Sequence, residues 1–319
     1  MIINFSGHSF SALKEAVEEL KATNDIEKIL HIENSEIELE APILFFSGLK
    51  IIGNSPESVK FRAADGLNSH MISSINPKQK SIGLEFSNIS FYGNSKRQSK
   101  PETVKGISFA HGMYLTNVQN VVCQNLIFDD IRQTAVHSVN SSNVRVVNMS
   151  ASNVGWSGVS TAGVNNFYFT GTVFQAGLDV NHSGIHIDGG AGVYLEADVN
   201  ECTGNGVMLD STFSALSSFV VKARSTNSKR GCSLSGFAER PIRFGVISGV
   251  FDSNREVGVM ISNSKNIVIQ NSTISNNGQF GLLFQGRVGG TECVGSDLIF
   301  AGNPVDVKQI HASENNFIW

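Results

Sequence analysis

The chain has 319 residues, 41% hydrophobic and 16% charged, with 31 Gly against 6 Pro and a formal net charge of −4. This composition excludes a disordered chain, and its mild acidity argues against nucleic acid or an anionic membrane as partner. No stretch approaches the roughly 20 consecutive apolar residues of a membrane-spanning helix.

The N-terminus has no basic segment followed by an apolar one. That leaves a protein working inside a cell or a phage particle, or one whose secretion signal has been removed. Residues 11–22 place Leu13, Ala16, Val17 and Leu20 on one helical face and Glu15, Glu18 and Glu19 opposite. An amphipathic helix there would cap the open apolar end of a stack of strands. Short apolar runs follow at 29–32, 37–39, 43–46, 49–52 and 82–92, read as irregular coils. A polar, basic segment between Gly93 and Lys105 reads as a long projecting loop.

From Gly112 the chain becomes regular. A tetrapeptide of the form small, aliphatic, any, apolar or hydroxyl begins at Gly112, Ala135, Gly158, Gly184, Gly206, Gly231, Gly258 and Gly281, at intervals of 23, 23, 26, 22, 25, 27 and 23 residues. Eight residues later comes Asn in four copies, Asn120, Asn143, Asn166 and Asn266. Each copy holds three short runs rich in Val, Ile and Phe, separated by Asn, Ser or Gly. Three strands per repeat at this period predict a right-handed parallel β-helix solenoid of about 10 or more coils. Asn suits the left-handed corners of such a coil, and its amides can hydrogen-bond from coil to coil. A repeat array needs no second core, so one domain is expected. It comprises a cap at 1–25, irregular coils and the basic loop at 26–111, regular coils at 112–304 and a C-terminal cap at 305–319 ending in Phe317, Ile318 and Trp319. Cys123, Cys202, Cys232 and Cys293 lie apart with no Cys-x-x-Cys pair and read as reduced core thiols.

The repeat register predicts which side chains leave the core. Positions two and four after each Gly or Ala should point outward. The first column reads Tyr114, His137, Ser160, His186, Met208, Ser233, Met260 and Leu283; the second reads Thr116, Val139, Ala162, Asp188, Asp210, Ser235, Ser262 and Gln285. Column neighbours are one coil apart, about 4.8 Å. Tyr114, His137, His186, Asp188 and Asp210 therefore form the candidate catalytic face. Turns leading into these strands add Arg132, Trp156, His182, Lys229 and Arg230 as candidate substrate contacts. Two stacked carboxylates repel, so Asp188 and Asp210 point to function, or to a bound divalent cation or a nearby Arg. No other metal and no cofactor is expected. His31, His70 and Tyr194 read as structural.

With this coil repeat, the chain from about Gly83 onward resembles the right-handed β-helix superfamily of pectate lyases, polygalacturonases, alginate and chondroitin lyases, mannuronan C5-epimerases and phage tailspikes. No subfamily motif is matched. Where the epimerases carry Asp-Pro-His, this chain has His186-Ile187-Asp188, with Asp210 one coil on. The resemblance implies a saccharide ligand in a groove on one parallel sheet, here the face from Tyr114 to Asp210.

Two chemistries follow. In proton abstraction at C5 of a uronate (a lyase or epimerase), His137 or His186 serves as base, Tyr114 as proton donor and Arg132, Lys229 or Arg230 as neutraliser. In glycoside hydrolysis, Asp188 and Asp210 act as a retaining pair. The first is preferred because it uses the imidazoles and the phenol directly. A glycan-binding or phage tail solenoid without catalysis is the third expectation.

Overall fold

The computed structural model describes residues 1–98, 110–179, 182–310 and 317–318. The chain is an all-β parallel β-solenoid of about 11 turns. It divides into two compact units, Met1–Gly155 and Trp156–Trp319.

In the first unit the helix spans Phe10–Ala22, with Ser9 at its N-cap accepting the Ala12 amide at 3.3 Å. Leu13, Ala16, Val17 and Leu20 are its buried residues, as the sequence spacing predicts. They pack against the strands Ile2–Phe5, Lys28–Ile32 and Ser35–Leu39, so the helix covers the apolar end of the first turn. Ile43–Phe45, Leu49–Gly53 and Ser81–Tyr92 also form where apolar runs were seen. Ile2–Phe5, Val59–Ala63 and Ile72–Ser74 are strands that the irregular spacing had hidden. Each pairs in parallel with a strand of a neighbouring turn.

Long strands in this unit turn corners without breaking. Val118–Asp129 bends at Asn120 (φ 58°) and Asn125 (φ 52°), and Ser142–Val154 bends at Asn143 and Asn148. Left-handed backbone costs Asn less than most residues. The amides then stack: Asn125 donates to Asn88 at 2.9 Å, Asn148 to Asn125 at 2.8 Å and Asn143 to Asn120 at 2.9 Å. Inside, Phe91 stacks on Phe128 at 4.8 Å and meets Phe61 edge-on at 5.6 Å, a ladder that fixes rotation of one turn over the next. Of the basic segment, Ser95–Arg97 form one short 3₁₀ turn; its residues from 99 onward lie outside the described residues.

In the second unit, Val159–Ala176 pairs with Ile185–Asn200, which pairs with both Asn205–Asp210 and Leu216–Thr226; the pattern repeats through Arg230–Ser235, Ile242–Asp252, Val257–Ser275, Phe280–Thr291, Val294–Ala301 and Val305–Gln309. Phe317–Ile318 adds a last pairing, while 311–316 and Trp319 of the expected C-terminal cap lie outside the described residues. A buried amide ladder runs Asn254, Asn277, Asn303 with links of 3.0 Å, and the Asn277 side chain also donates to the Phe251 carbonyl at 3.0 Å. Truncating Asn277 to Ala strands those partners away from water. We expect it to lower the unfolding free energy by about 2 kcal/mol, read as a reduced denaturant midpoint at unchanged slope.

The outward columns need correction at four places. Thr116, Ser233, Met260 and Leu283 are buried. Met260 and Leu283 join Val257 in a small apolar cluster covered by Phe280 and Ile310, so a second layer forms on the outer surface there. All four cysteines are free and buried. Burial pushes the Cys123 and Cys232 thiols up to about 12, which leaves them inert at neutral pH.

Candidate active site

The site residues expected from the register fall into two groups. His186, Asp188 and Asp210 belong to the second unit with Trp156, His182, Lys229 and Arg230; Tyr114, Arg132 and His137 belong to the first.

In the second unit the segment 185–188 lies in register with 207–210, placing His186 beside Met208 and Asp188 beside Asp210. One ring nitrogen of His186 and one carboxylate oxygen from each Asp lie within 4.8 Å of one another. His186 Nε2 stands 3.8 Å from Asp210 Oδ2, and both side chains are largely buried, at 21% and 13% exposure. Asp210 Oδ1 accepts the Ser211 amide at 2.6 Å, the Thr212 amide at 3.0 Å and the Thr212 hydroxyl at 2.7 Å. Asp188 Oδ1 accepts the Phe213 amide at 2.7 Å.

These partners separate the two acids. Burial is the largest influence on each and favours the protonated form. At Asp188 it prevails over the Phe213 amide, and the Asp210 charge adds to it, so the pKa is raised. At Asp210 burial is outweighed by His186, the Thr212 hydroxyl and the Ser211 amide, so the pKa is lowered. The surroundings therefore push Asp188 toward its protonated form and Asp210 toward its ionised form. The amides and His186 also explain how two like charges coexist on adjacent strands. The same one nitrogen and two oxygens form a donor set that a divalent cation can take.

The turn after Asp188 holds these partners in place. Gly189 (φ 74°) and Gly190 (φ 102°) carry the chain away, and a Cβ on Gly189 would lie 2.6 Å from the Ser214 carbonyl oxygen. Only glycine lets segment 211–215 pack this closely. On the side of the strand starts, Trp156 and His182 stack with rings parallel to within 1° and centroids 5.0 Å apart, and His182 approaches His186 at 6.2 Å. Burial, then the neighbouring His186, lowers the His182 pKa, so its ring is neutral at pH 7. Lys229 and Arg230 face Glu256 instead, at 3.7 and 3.0 Å. Glu256 stands two residues before Gly258 as Lys229 does before Gly231, so the two share a column one turn apart.

In the first unit Val136–Val139 pairs with Met113–Thr116, setting His137 beside Tyr114 with ring centroids 5.6 Å apart. Two further imidazoles join them. His70 stacks on Tyr114 at 4.6 Å and on His111 at 5.1 Å, and His111 lies 4.9 Å from His137. His70 Nδ1 accepts the His111 amide at 3.3 Å, and His111 Nδ1 accepts the Thr134 amide at 3.1 Å. Burial, helped by the neighbouring His137, pushes His70 down to about 4 and holds His111 well below the usual imidazole range. Arg132 is half-buried at the turn into this strand pair.

Among solved structures, the chain is similar to gene product 12 of bacteriophage phi29, with a TM-score of 0.75 at 16% identity, over 96% of this chain and 52% of that one. It is also similar to the A-module of the Azotobacter vinelandii mannuronan C-5 epimerase AlgE4, with a TM-score of 0.53 at 12% identity over 98% and 96% of the two chains. A third is the catalytic domain of a GH87 α-1,3-glucanase, with a TM-score of 0.57 at 14% identity over 100% and 68%. The chain is a parallel β-helix protein. No protein-family model and no curated protein sequence matches this parallel β-helix protein.

Three neighbours of the paired side chains were missed in the sequence. His70 precedes the regular repeats, so no register shows that it stacks on Tyr114. Phe213 and Phe237 are 48% and 43% exposed and sit in segments 211–215 and 236–241, after the strands Asn205–Asp210 and Arg230–Ser235 of the parallel β-helix protein. A signal for these two did exist. The repeat intervals from Gly206 and Gly231 are 25 and 27 residues against the usual 23, and the surplus lies in these two connections.

Proposed function

We propose that the second unit is a glycoside hydrolase site, with Asp188 as general acid and Asp210 as nucleophile. The observation that carries this reading is a pair of carboxylates one turn apart in unlike surroundings, three donors and His186 around Asp210 against burial and one amide at Asp188, which shift their pKa values in opposite directions. Their oxygens approach within 4.8 Å, close to the roughly 5–5.5 Å of retaining pairs. Asp188 protonates the glycosidic oxygen as the bond to the anomeric carbon breaks. Asp210 Oδ2 attacks that carbon, with His186 Nε2 3.8 Å from the attacking oxygen. Asp188, then ionised, draws a proton from the water that releases the sugar. Two of the three neighbours are named for saccharide chemistry, which supports a saccharide as ligand.

Proton abstraction at C5 of a uronate is the second reading, favoured by the imidazole of His186 beside both acids. It has less support because Lys229 and Arg230, two of the three cations expected to neutralise the uronate, are paired with Glu256, and the third, Arg132, belongs to the first unit. The test incubates the protein with neutral and uronate-containing glycans and follows reducing ends, ultraviolet absorbance and the anomeric proton signals together. Hydrolysis gives reducing ends with retained configuration and no new absorbance. An unsaturated product assigns proton abstraction instead, and the absence of any product leaves a binding solenoid. Activity lost to a chelator and restored by a divalent cation would reassign His186, Asp188 and Asp210 as cation ligands.

A further inference from the structure

The parallel strands of the second unit put two aromatic stations at opposite margins of the carboxylates. Trp156 and His182 precede the strands Val159–Ala176 and Ile185–Asn200 and so lie where strands enter the face. Phe213 and Phe237 follow the strands Asn205–Asp210 and Arg230–Ser235 and lie where strands leave it. Between them stand His186, Asp188 and Asp210, the first two about 7 Å apart along one strand.

The exit station is firmly held. The Phe213 amide donates to Asp188 Oδ1 at 2.7 Å, and the Phe213 carbonyl accepts Arg240 Nη1 at 3.3 Å. The Phe237 amide donates to Ser211 Oγ at 3.2 Å, and Ser211 Oγ donates to the Arg240 carbonyl at 2.7 Å. The Arg240 guanidinium lies over the Phe237 ring at 5.5 Å. Two connections are thereby locked together with two large rings still in water. Such rings are unfavourable when left bare, and a flat apolar ring face suits the axial C–H face of a pyranose. At the entry station, stacking fixes the Trp156 and His182 planes and leaves a neutral imidazole.

We infer that the ligand is a neutral oligosaccharide long enough to touch both stations, Trp156 with His182 on one side of the scissile bond and Phe213 with Phe237 on the other. This rests on the hydrolase reading above. Neutrality is argued from the partners of the cations described around the carboxylates: Lys229 and Arg230 pair with Glu256, and Arg240 is used on Phe237 and the Phe213 carbonyl.

The test measures calorimetric affinity of the full chain carrying Asp188→Asn for neutral oligosaccharides from disaccharide to hexasaccharide. Phe213→Ala and Phe237→Ala, each on that background, should weaken binding of the long oligomers about five- to tenfold, as should Trp156→Ala from the other side. The loss should shrink as the oligomer becomes too short to span both stations. Phe244→Ala, removing a 58% exposed ring on the strand Ile242–Asp252, is the control and should leave affinity as it was. Long oligomers that bind the Phe213→Ala and Phe237→Ala chains as tightly as the parent would overturn the inference and leave the hydrolase reading standing. So would a loss as large in the Phe244→Ala control. If the parent chain binds no neutral oligosaccharide yet cleaves a charged one, this inference alone fails; if it neither binds nor cleaves any glycan, both fail.

Discussion

Asp188→Asn should slow cleavage of an ordinary glycosidic bond by a factor of about 10²–10⁴, because the departing oxygen would leave without its proton. Glycan affinity should stay near that of the parent, since the Asn carbonyl can still accept the Phe213 amide that Asp188 Oδ1 accepts at 2.7 Å. The informative measurement is a substrate with an activated aryl leaving group. Such a group needs no proton, so Asp188→Asn should recover most of the lost rate in glycosylation. Asp210→Asn should not recover, because the atom that attacks has been replaced. Equal behaviour of the two variants toward both substrates would remove the assigned roles. His186→Ala should fall between them. It leaves both carboxylates but removes the side chain that most lowers the Asp210 pKa, so the acidic limb of the activity profile should move to higher pH.

Acid should weaken the fold through the imidazole stack of the first unit. In the unfolded chain His70 takes up its proton near 6.5; in the fold it does so only near 4. Above pH 6.5 both states are neutral at this residue and nothing is lost. As pH falls through that window the unfolded chain binds a proton that the fold refuses, so stability declines and the loss is complete below about pH 4. The shift corresponds to roughly 3 kcal/mol from His70, and His111, lowered by its complete burial and by His137 and His70, adds to it. Urea unfolding of the full chain at pH 7, 5.5 and 4.5 should show the midpoint falling steeply. His70→Gln should flatten part of that fall, whatever its effect on stability at pH 7. A parent midpoint that holds from pH 7 to 4.5 would mean these rings are not kept neutral by the fold.

How much of this was legible in the sequence depended on whether the repeat kept time. The tetrapeptides from Gly112 to Gly281 marked one strand in every turn, and from their phase came the pairings His137 with Tyr114 and Asp188 with Asp210. The Asn residues eight positions later were legible because so few residues accept φ near +55°. The helix 10–22 was legible from its own period. His70 was not, since before Gly112 the turns vary in length and no register carries a residue to its neighbour. Phe213, Phe237 and Arg240 were not, because connections obey no period; only their surplus length showed. Burial of Met260 and Leu283 depends on Phe280 and Ile310 folding over them, a contact that strand alternation does not encode.

The backbone spacing of the stack also makes the gap between acids a quantised variable. Neighbouring rungs lie about 4.8 Å apart, so acids on adjacent rungs fall near the separation for direct attack, while acids two rungs apart fall near 9.6 Å, where a water fits between them. Ser235 pairs with Asp210 on the next rung and has the same orientation. On the hydrolase reading, the two substitutions that move a carboxylate from 210 to 235 would carry the pair from the spacing of retaining enzymes to that of inverting ones, with no intermediate geometry on offer. On that reading, a scaffold of this kind sets the separation of its acids in whole turns, where a loop-built site would drift between them.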